Sequence, residues 1–227
     1  NGLVEAGFGP SDAIAIDMPM TPESVAIYLG IIQCGATVVS IADSFAPPEI
    51  ATRLKIANAK AIFTMDHIIR TGKRLPLYKK LIAANAPKTV VVLVDDSELA
   101  YLRDGDQHWS QFLSDNPNFK PHIAPPDHAI NILFSSGTTG VPKAIPWTQI
   151  TAIKSATDGY YHHDIHPGDV LAWPTNLGWM MGPWLIFAAM INRGTIALFN
   201  DVPSDRGFGK FIEKAHVNML GVVPSLV

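Results

Sequence analysis

The sequence is short of charge and almost free of cysteine. Its 227 residues hold 17 Lys+Arg and 20 Asp+Glu, 16% of the chain, where an ordinary soluble domain carries about 25%. With a formal net charge of −3 and no lysine or arginine run longer than two residues, the footprint of an electrostatic nucleic-acid binder is missing. Cys34 is the only cysteine, which excludes an intrachain disulfide and a cysteine-based zinc site and permits a reducing compartment. No charged segment followed by an apolar run opens the chain, so no signal peptide is visible. The nearest thing to a membrane span, Leu177 to Ile191, has no charge but contains Gly178, Gly182 and Pro183. It is shorter than the roughly 20 apolar residues a span needs and reads as buried core or pocket wall.

What is present is apolar. A hydrophobic content of 48% excludes disorder. High apolar content with little charge points to an unusually large core, or to apolar surface that belongs against something else. The start at Asn1 without a methionine adds the expectation of a piece excised from a longer chain, only marginally soluble alone.

Short β-branched runs alternate with stretches of helical spacing, which predicts βαβ units and a largely parallel sheet. Strands are expected at Ala13 to Asp17, Thr37 to Ile41, Ala61 to Met65, Thr89 to Val94 and Ile130 to Phe134, with later ones near Val170 to Ala172, Thr195 to Phe199 and Met219 to Val223. Thr21 as N-cap, Pro22 at N1 and Glu23 in the first turn start a helix that runs to Gln33. Further helices are expected over Pro47 to Asn58, over Leu77 to Ala84 and from about Thr148. Residues 1–94 thus form a first βαβ portion, 95–128 a polar connection, and 129–227 a second portion.

The chemistry concentrates in Ser135-Ser136-Gly137-Thr138-Thr139-Gly140-Val141-Pro142-Lys143, which follows the Ile130 to Phe134 strand. Gly137 and Gly140 permit positive φ and close approach of backbone N–H groups to an anion; the four hydroxyls add short rotatable donors, and Lys143 adds a point charge. Such a loop suits a triphosphate. It is not a Walker A loop, in which the lysine directly follows the second glycine. His162, His163 and His166 cluster, but two are adjacent and no carboxylate spacing of a zinc enzyme accompanies them, so no metal site is assigned. Asp95-Asp96 reads as a solvated turn, and no serine nucleophile motif is present.

The loop resembles [ST]-S-G-[ST]-T-G-x-P-K of the adenylate-forming superfamily, with Ala144 where that family usually has glycine. The resemblance extends in order through Met18-Pro19-Met20-Thr21-Pro22-Glu23, Gly35-Ala36, His166-Pro167-Gly168-Asp169, Leu177-Gly178-Trp179 with Gly182, and Val217-Asn218-Met219-Leu220 with Pro224. It is nearest to the acetyl- and propionyl-CoA synthetase branch, and Lys143-Ala144-Ile145-Pro146-Trp147-Thr148-Gln149 is similar to plant peroxisomal acyl-activating enzymes. This resemblance implies a large N-terminal AMP-binding domain of mixed, largely parallel sheets flanked by helices, here in part and without a C-terminal domain. It implies an acid–thiol ligase that joins a small carboxylic acid to coenzyme A through an acyl-adenylate, using ATP and Mg²⁺.

By motif, the resemblance gives phosphate handling to Ser135, Ser136, Gly137, Thr138, Thr139, Gly140 and the catalytic Lys143. It gives the acyl pocket to Trp179, Met180 and Met181, and coenzyme A contact to Arg70 and Lys73 of Arg70-Thr71-Gly72-Lys73. The family's later motifs have no counterpart here: Y-G-x-T-E with its Mg²⁺ glutamate, the ribose aspartate and the distal lysine. The isolated chain is therefore expected to be inactive, with the remainder of its own chain as a partner. An intracellular location, peroxisomal or cytoplasmic, follows from the resemblance alone. A noncatalytic nucleotide-binding or interaction module retaining the fold is the alternative.

Overall fold

The computed structural model describes residues 1–94, 101–137, 140–203 and 206–223. The first portion runs α1 (Gly2–Glu5), β1 (Ala13–Asp17), α2 (Pro22–Gln33), β2 (Thr37–Ile41), α3 (Pro47–Ile56), β3 (Ala61–Met65), β4 (His67–Arg70), β5 (Lys73–Pro76), α4 (Leu77–Ala83) and β6 (Lys88–Val92). Then follow β7 (Gln107–His108), α5 (Trp109–Phe112), β8 (Ala129–Ser135), β9 (Lys143–Thr148), α6 (Gln149–His163), β10 (Val170–Ala172), α7 (Met181–Ile191), β11 (Thr195–Ile196), α8 (Arg206–Lys214) and β12 (Met219–Leu220).

A seven-stranded sheet has the order β7-β6-β3-β1-β2-β8-β9 and is parallel except for β9, which returns antiparallel to β8. A separate three-stranded parallel sheet has the order β11-β10-β12, and β4 and β5 form an antiparallel hairpin. This is the α/β, largely parallel architecture expected from the alternating runs.

The period-two alternation of strand side chains builds two cores. Ile14 and Ile16 of β1 point with Val38 and Phe63 into one layer, filled by Val25, Tyr28 and Ile31 of α2 and by Leu185, Ile186 and Phe187 of α7. Ala15 points the other way with Val39, Ile41 and Ile62, against Ile50 and Leu54 of α3 and Leu81 of α4. Strands covered on both faces read as continuous apolar runs, which is why β1, β2 and β3 match their expected limits. Helix α2 starts as expected: Pro22 occupies the first turn, and Thr21 and Ser24 exchange backbone-to-hydroxyl bonds in a capping box. The uncharged stretch from Leu177 is core: residues Gly182 to Ala189 of α7 are buried.

Several features differ from the expected elements, and β9 fills the stretch between the loop and the helix expected from about Thr148. The hairpin β4–β5 lies where only a basic segment is evident in the sequence. Its tip turns through Thr71 and Gly72, both at positive φ. Within the polar stretch after residue 94, Gln107–His108 pairs with β6 as an edge strand, and Trp109 and Phe112 pack edge-on against Phe63. Arg103 ties that stretch down, donating to both Asp106 carboxylate oxygens and to the carbonyls of Ala86 and Pro87. The pair Asp95-Asp96 lies outside the described residues. β11 and β12 are shorter than expected; Phe199 leaves the sheet to pack on Phe208 and Phe211 of α8.

Apolar residues also stand in the open: Ile150, Ile153 and Tyr161 on α6 are exposed. Phe63 joins the β3 core to α5, so Phe63→Ala is expected to cost about 3–5 kcal/mol, read as a lowered midpoint in urea denaturation.

Candidate functional site

In a parallel sheet the carboxyl ends of all strands lie along one edge, and ligands of open α/β sheets bind there. Here the carboxyl ends of β1, β2, β3 and β8 deliver Asp17, Asp43, Asp66 and Ser135 to the same edge. β8 is fixed by Ser40, whose hydroxyl donates to Asn131 Oδ1 at 2.7 Å, and by Thr37, whose hydroxyl donates to the Ala129 carbonyl at 3.0 Å.

The loop between β8 and β9 is a hairpin connection. Register pairing sets Ser135 opposite Lys143, so the hydroxyl and the ammonium-bearing residue stand at the two ends of one turn. Gly137 and Gly140 both have positive φ, as expected. A Cβ on Gly137 would collide with the Val141 carbonyl, because the loop doubles back on itself there. Ser135 and Gly137 are half-buried, while Ser136, Gly140 and Lys143 face solvent. Thr138 and Thr139 lie outside the described residues. Ala144 pairs with Phe134 within β9 and is not at positive φ, so its Cβ imposes no strain.

A cleft of about 810 Å³ opens where the carboxyl edges of the two sheets meet. Met20, Asp43 and Ser44 line it from the large sheet, and Trp173 and Val223 from the small one. The segment carrying Trp179 is pinned across this junction. Asn176 donates to the Met18 carbonyl at 3.1 Å and accepts from Gly178 N–H at 2.9 Å; Gly178 lies against the backbone of Ala42 so closely that a Cβ would collide with it. Trp179 and Met180 remain 52% and 60% exposed, an apolar surface turned into the cleft rather than the core. Behind Trp179, Phe45 meets the indole edge-on and the Arg53 guanidinium stacks over Phe45 at 3.8 Å.

The cleft therefore brings together Trp179, Met180, Met181 and Arg70, but none of the described loop residues lines it. Lys73, paired with Arg70 across the hairpin, is exposed and also stands outside it. Arg70 is not free: its guanidinium donates to Asp43 Oδ2 at 2.7 Å. The hairpin tip is held by Thr71 N–H donating to Asp201 Oδ1 at 2.9 Å, and this bond with one from Val202 N–H keeps the Asp201 carboxyl below the usual carboxylate range. His162 and His163 end α6 and are exposed.

Sequence reading missed Asp17, Asp43 and Lys80. The available signal was an acid ending a strand that is otherwise apolar, Ala-Ile-Ala-Ile-Asp. Burial pushes the Asp17 carboxyl up to about 7, a shift opposed by Lys80 and reinforced by Asp43. Between the ordinary value near 3.8 and about 7, the folded state binds a proton that the unfolded chain has released. Stability present at low pH is thus lost as pH rises through that window.

Comparison with known proteins gives a family match, "AMP-binding enzyme", over residues 1–227. Among curated relatives, "Hexanoyl-CoA synthase" of Cannabis sativa is 55% identical, covering 99% of this chain and 32% of the relative. "Probable acyl-activating enzyme 18, peroxisomal" of Arabidopsis thaliana is 52% identical, over 99% of this chain and 32% of that protein. The chain thus spans about a third of the length of the curated relatives it matches. The solved structure of "Acetoacetyl-CoA Synthetase from Streptomyces lividans" superposes with a TM-score of 0.90 at 24% identity, covering 99% of this chain and 35% of that one, and shares its fold. No helix among the described residues is long and apolar enough to cross a membrane.

Asp17→Asn is expected to stabilise the protein at pH 8, by on the order of 1–3 kcal/mol, and to lose most of that advantage at pH 5. Thermal melts at the two pH values check this; a larger gain at pH 5 would contradict the assigned shift.

Proposed function

The chain belongs to the AMP-binding enzyme family, and from that premise we propose that it is the phosphate-loop portion of an ATP-dependent acyl-CoA synthetase. The carboxylate of an acid substrate attacks the α-phosphorus of ATP, a new O–P bond forms, and pyrophosphate leaves with the electron pair. The thiol of coenzyme A then attacks the acyl carbon, loses its proton, and displaces AMP to leave the thioester.

The protein's task in the first step is electrostatic, since charge spreads over phosphate oxygens as the bond to pyrophosphate breaks. Lys143 and the hydroxyls of Ser135, Ser136, Thr138 and Thr139 hold the β- and γ-phosphates, and Gly137 and Gly140 let backbone N–H groups approach them. Trp179, Met180 and Met181 form the apolar wall for the acid. An aliphatic acid suits that wall, and the relative named hexanoyl-CoA synthase points the same way. Arg70 and Lys73 meet a nucleotide phosphate of coenzyme A. Mg²⁺ would accompany the ATP. The described residues gather no group of three or more carboxylate, histidine or thiol ligands for it, so no step is derived through the metal. A peroxisomal location rests on relatives of that description.

The observation that carries this reading is the β8–β9 hairpin: two positive-φ glycines turn a hydroxyl-rich loop back so that Lys143 stands opposite Ser135. These 227 residues are not expected to complete the reaction alone, given the share of the relatives' length they span. In the full-length protein, ATP–pyrophosphate exchange with a panel of aliphatic acids is expected, and Lys143→Ala should lower the rate by about 10²-fold. An unchanged rate in Lys143→Ala would remove that residue's role. ATP binding with no exchange for any acid would favour a noncatalytic nucleotide-binding module.

A further inference from the structure

A line of charge runs from the sheet interior to the cleft, and the reaction described above uses only its last member. Asp17 ends β1 with no solvent exposure, and among the described residues neither carboxylate oxygen accepts a hydrogen bond. Lys80 Nζ of α4 lies 3.3 Å from Asp17 Oδ2, an ion-pair distance outside hydrogen-bond geometry. The same ammonium donates to the Asp43 carbonyl oxygen at 2.6 Å. The Asp43 carboxylate, itself buried, accepts from Arg70 at 2.7 Å, and Arg70 and Asp43 together line the cleft.

An ionised carboxylate buried without hydrogen bonds is costly, and an asparagine or an apolar residue would serve the fold better. What Asp17 supplies is a fixed negative charge that holds Lys80 against the segment after β2. Without it, the Lys80 ammonium keeps the Asp43 carbonyl as an acceptor and can turn toward the neighbouring groove, which it lines with Lys79. The loss would pass to Asp43 and from there to the guanidinium.

We propose that Asp17 and Lys80 are positioning residues: the buried carboxylate anchors Lys80, which braces Asp43, which in turn orients Arg70 for a phosphate of coenzyme A. This rests on the coenzyme A role given to Arg70 above. The charged groups acting on Asp17 are Lys80 of α4 and Asp43 after β2; from β3 comes a neutral contact, the Thr64 hydroxyl donating to the Asp17 carbonyl. Arg70 of the hairpin acts through Asp43, with Asp201 beside it. Because burial raises the Asp17 carboxyl to about 7, the brace operates above that pH and relaxes below it.

The test compares Arg70→Ala, Lys80→Met, Lys80→Arg and Asp17→Asn in the full-length enzyme, using coenzyme A and its 3′-dephospho form at pH 6 and pH 8. At pH 8, Lys80→Met and Asp17→Asn should raise KM for coenzyme A about tenfold with a smaller change in kcat, and reduce the preference over the dephospho form. Lys80→Arg should restore part of the loss. Lys79→Met, which removes a cation with no ion pair among the described residues, should match the unsubstituted enzyme. Lowering the pH to 6 should raise KM more in the unsubstituted enzyme than in Asp17→Asn; that difference carries the test, since the coenzyme's phosphate titrates as well. If Arg70→Ala leaves KM for coenzyme A unchanged, the coenzyme A assignment itself fails. If Arg70→Ala raises KM while Lys80→Met and Asp17→Asn do not, the assignment stands and the positioning role is overturned.

Discussion

A parallel sheet covered on both faces leaves polar chemistry one place to go. Every residue of β1, β2 and β3 except the first of β1 and β2 is buried, so their interiors admit side chains that pack and little else. The polar groups inside are hydrogen-bonded, as Ser40 is to Asn131, the charged ones stand at the strand ends, and parallel pairing sends the carboxyl ends to a common edge. The cleft, the glycine and hydroxyl loop and the charged line from Asp17 to Arg70 all sit at carboxyl ends for this reason. The small sheet repeats the rule, since Trp173 and Val223 follow β10 and β12 into the same cleft.

The same constraint decides what could be read from the sequence. Strands buried on both faces leave uninterrupted apolar runs, and β1, β2, β3 and β10 coincide with their expected limits. Strands at the margins leave no such trace. β9 carries Lys143 and Pro146 in an exposed stretch, a composition that suits the edge position it holds among the described residues. β7 is two residues long and β5 wholly exposed, so neither has a periodic signal to find. Overextension has the opposite cause: Phe199 packs on α8 and Val223 lines the cleft, and neither pairs in a strand.

The site divides along similar lines. The positive φ of Gly137 and Gly140 was legible because its signal is local, two glycines among short hydroxyls and a lysine within nine residues of chain. Trp179 was legible through its flanking glycine, which the structure places against the Ala42 backbone. Asp17, Asp43 and Lys80 were not, because their meaning lies in approach between elements far apart in the chain. Lys80 is one of two adjacent lysines in its segment until α4 docks and sets its ammonium between the ends of β1 and β2. Low overall charge made such residues fewer but did not say which were paired.

Asp17 also shows why site and stability pull apart here. A buried carboxylate with a pKa near 7 exists in the folded protein in comparable neutral and ionised amounts at neutral pH. Neutral, it is the less costly occupant of the β1 terminus; ionised, it fixes Lys80. Replacing the acid by a neutral isostere would keep the shape of the core and remove the electrostatic hold on the Asp43 segment, so packing alone does not account for an acid at this position. The sheet tolerates the charge because it lies at the carboxyl edge, where Lys80 approaches from α4 and offsets part of the cost that burial and the neighbouring Asp43 impose. One residue earlier, Ile16 is fully buried in the apolar layer that residues of α2 and α7 fill. The boundary between folding and chemistry in this chain thus falls between two consecutive residues of β1.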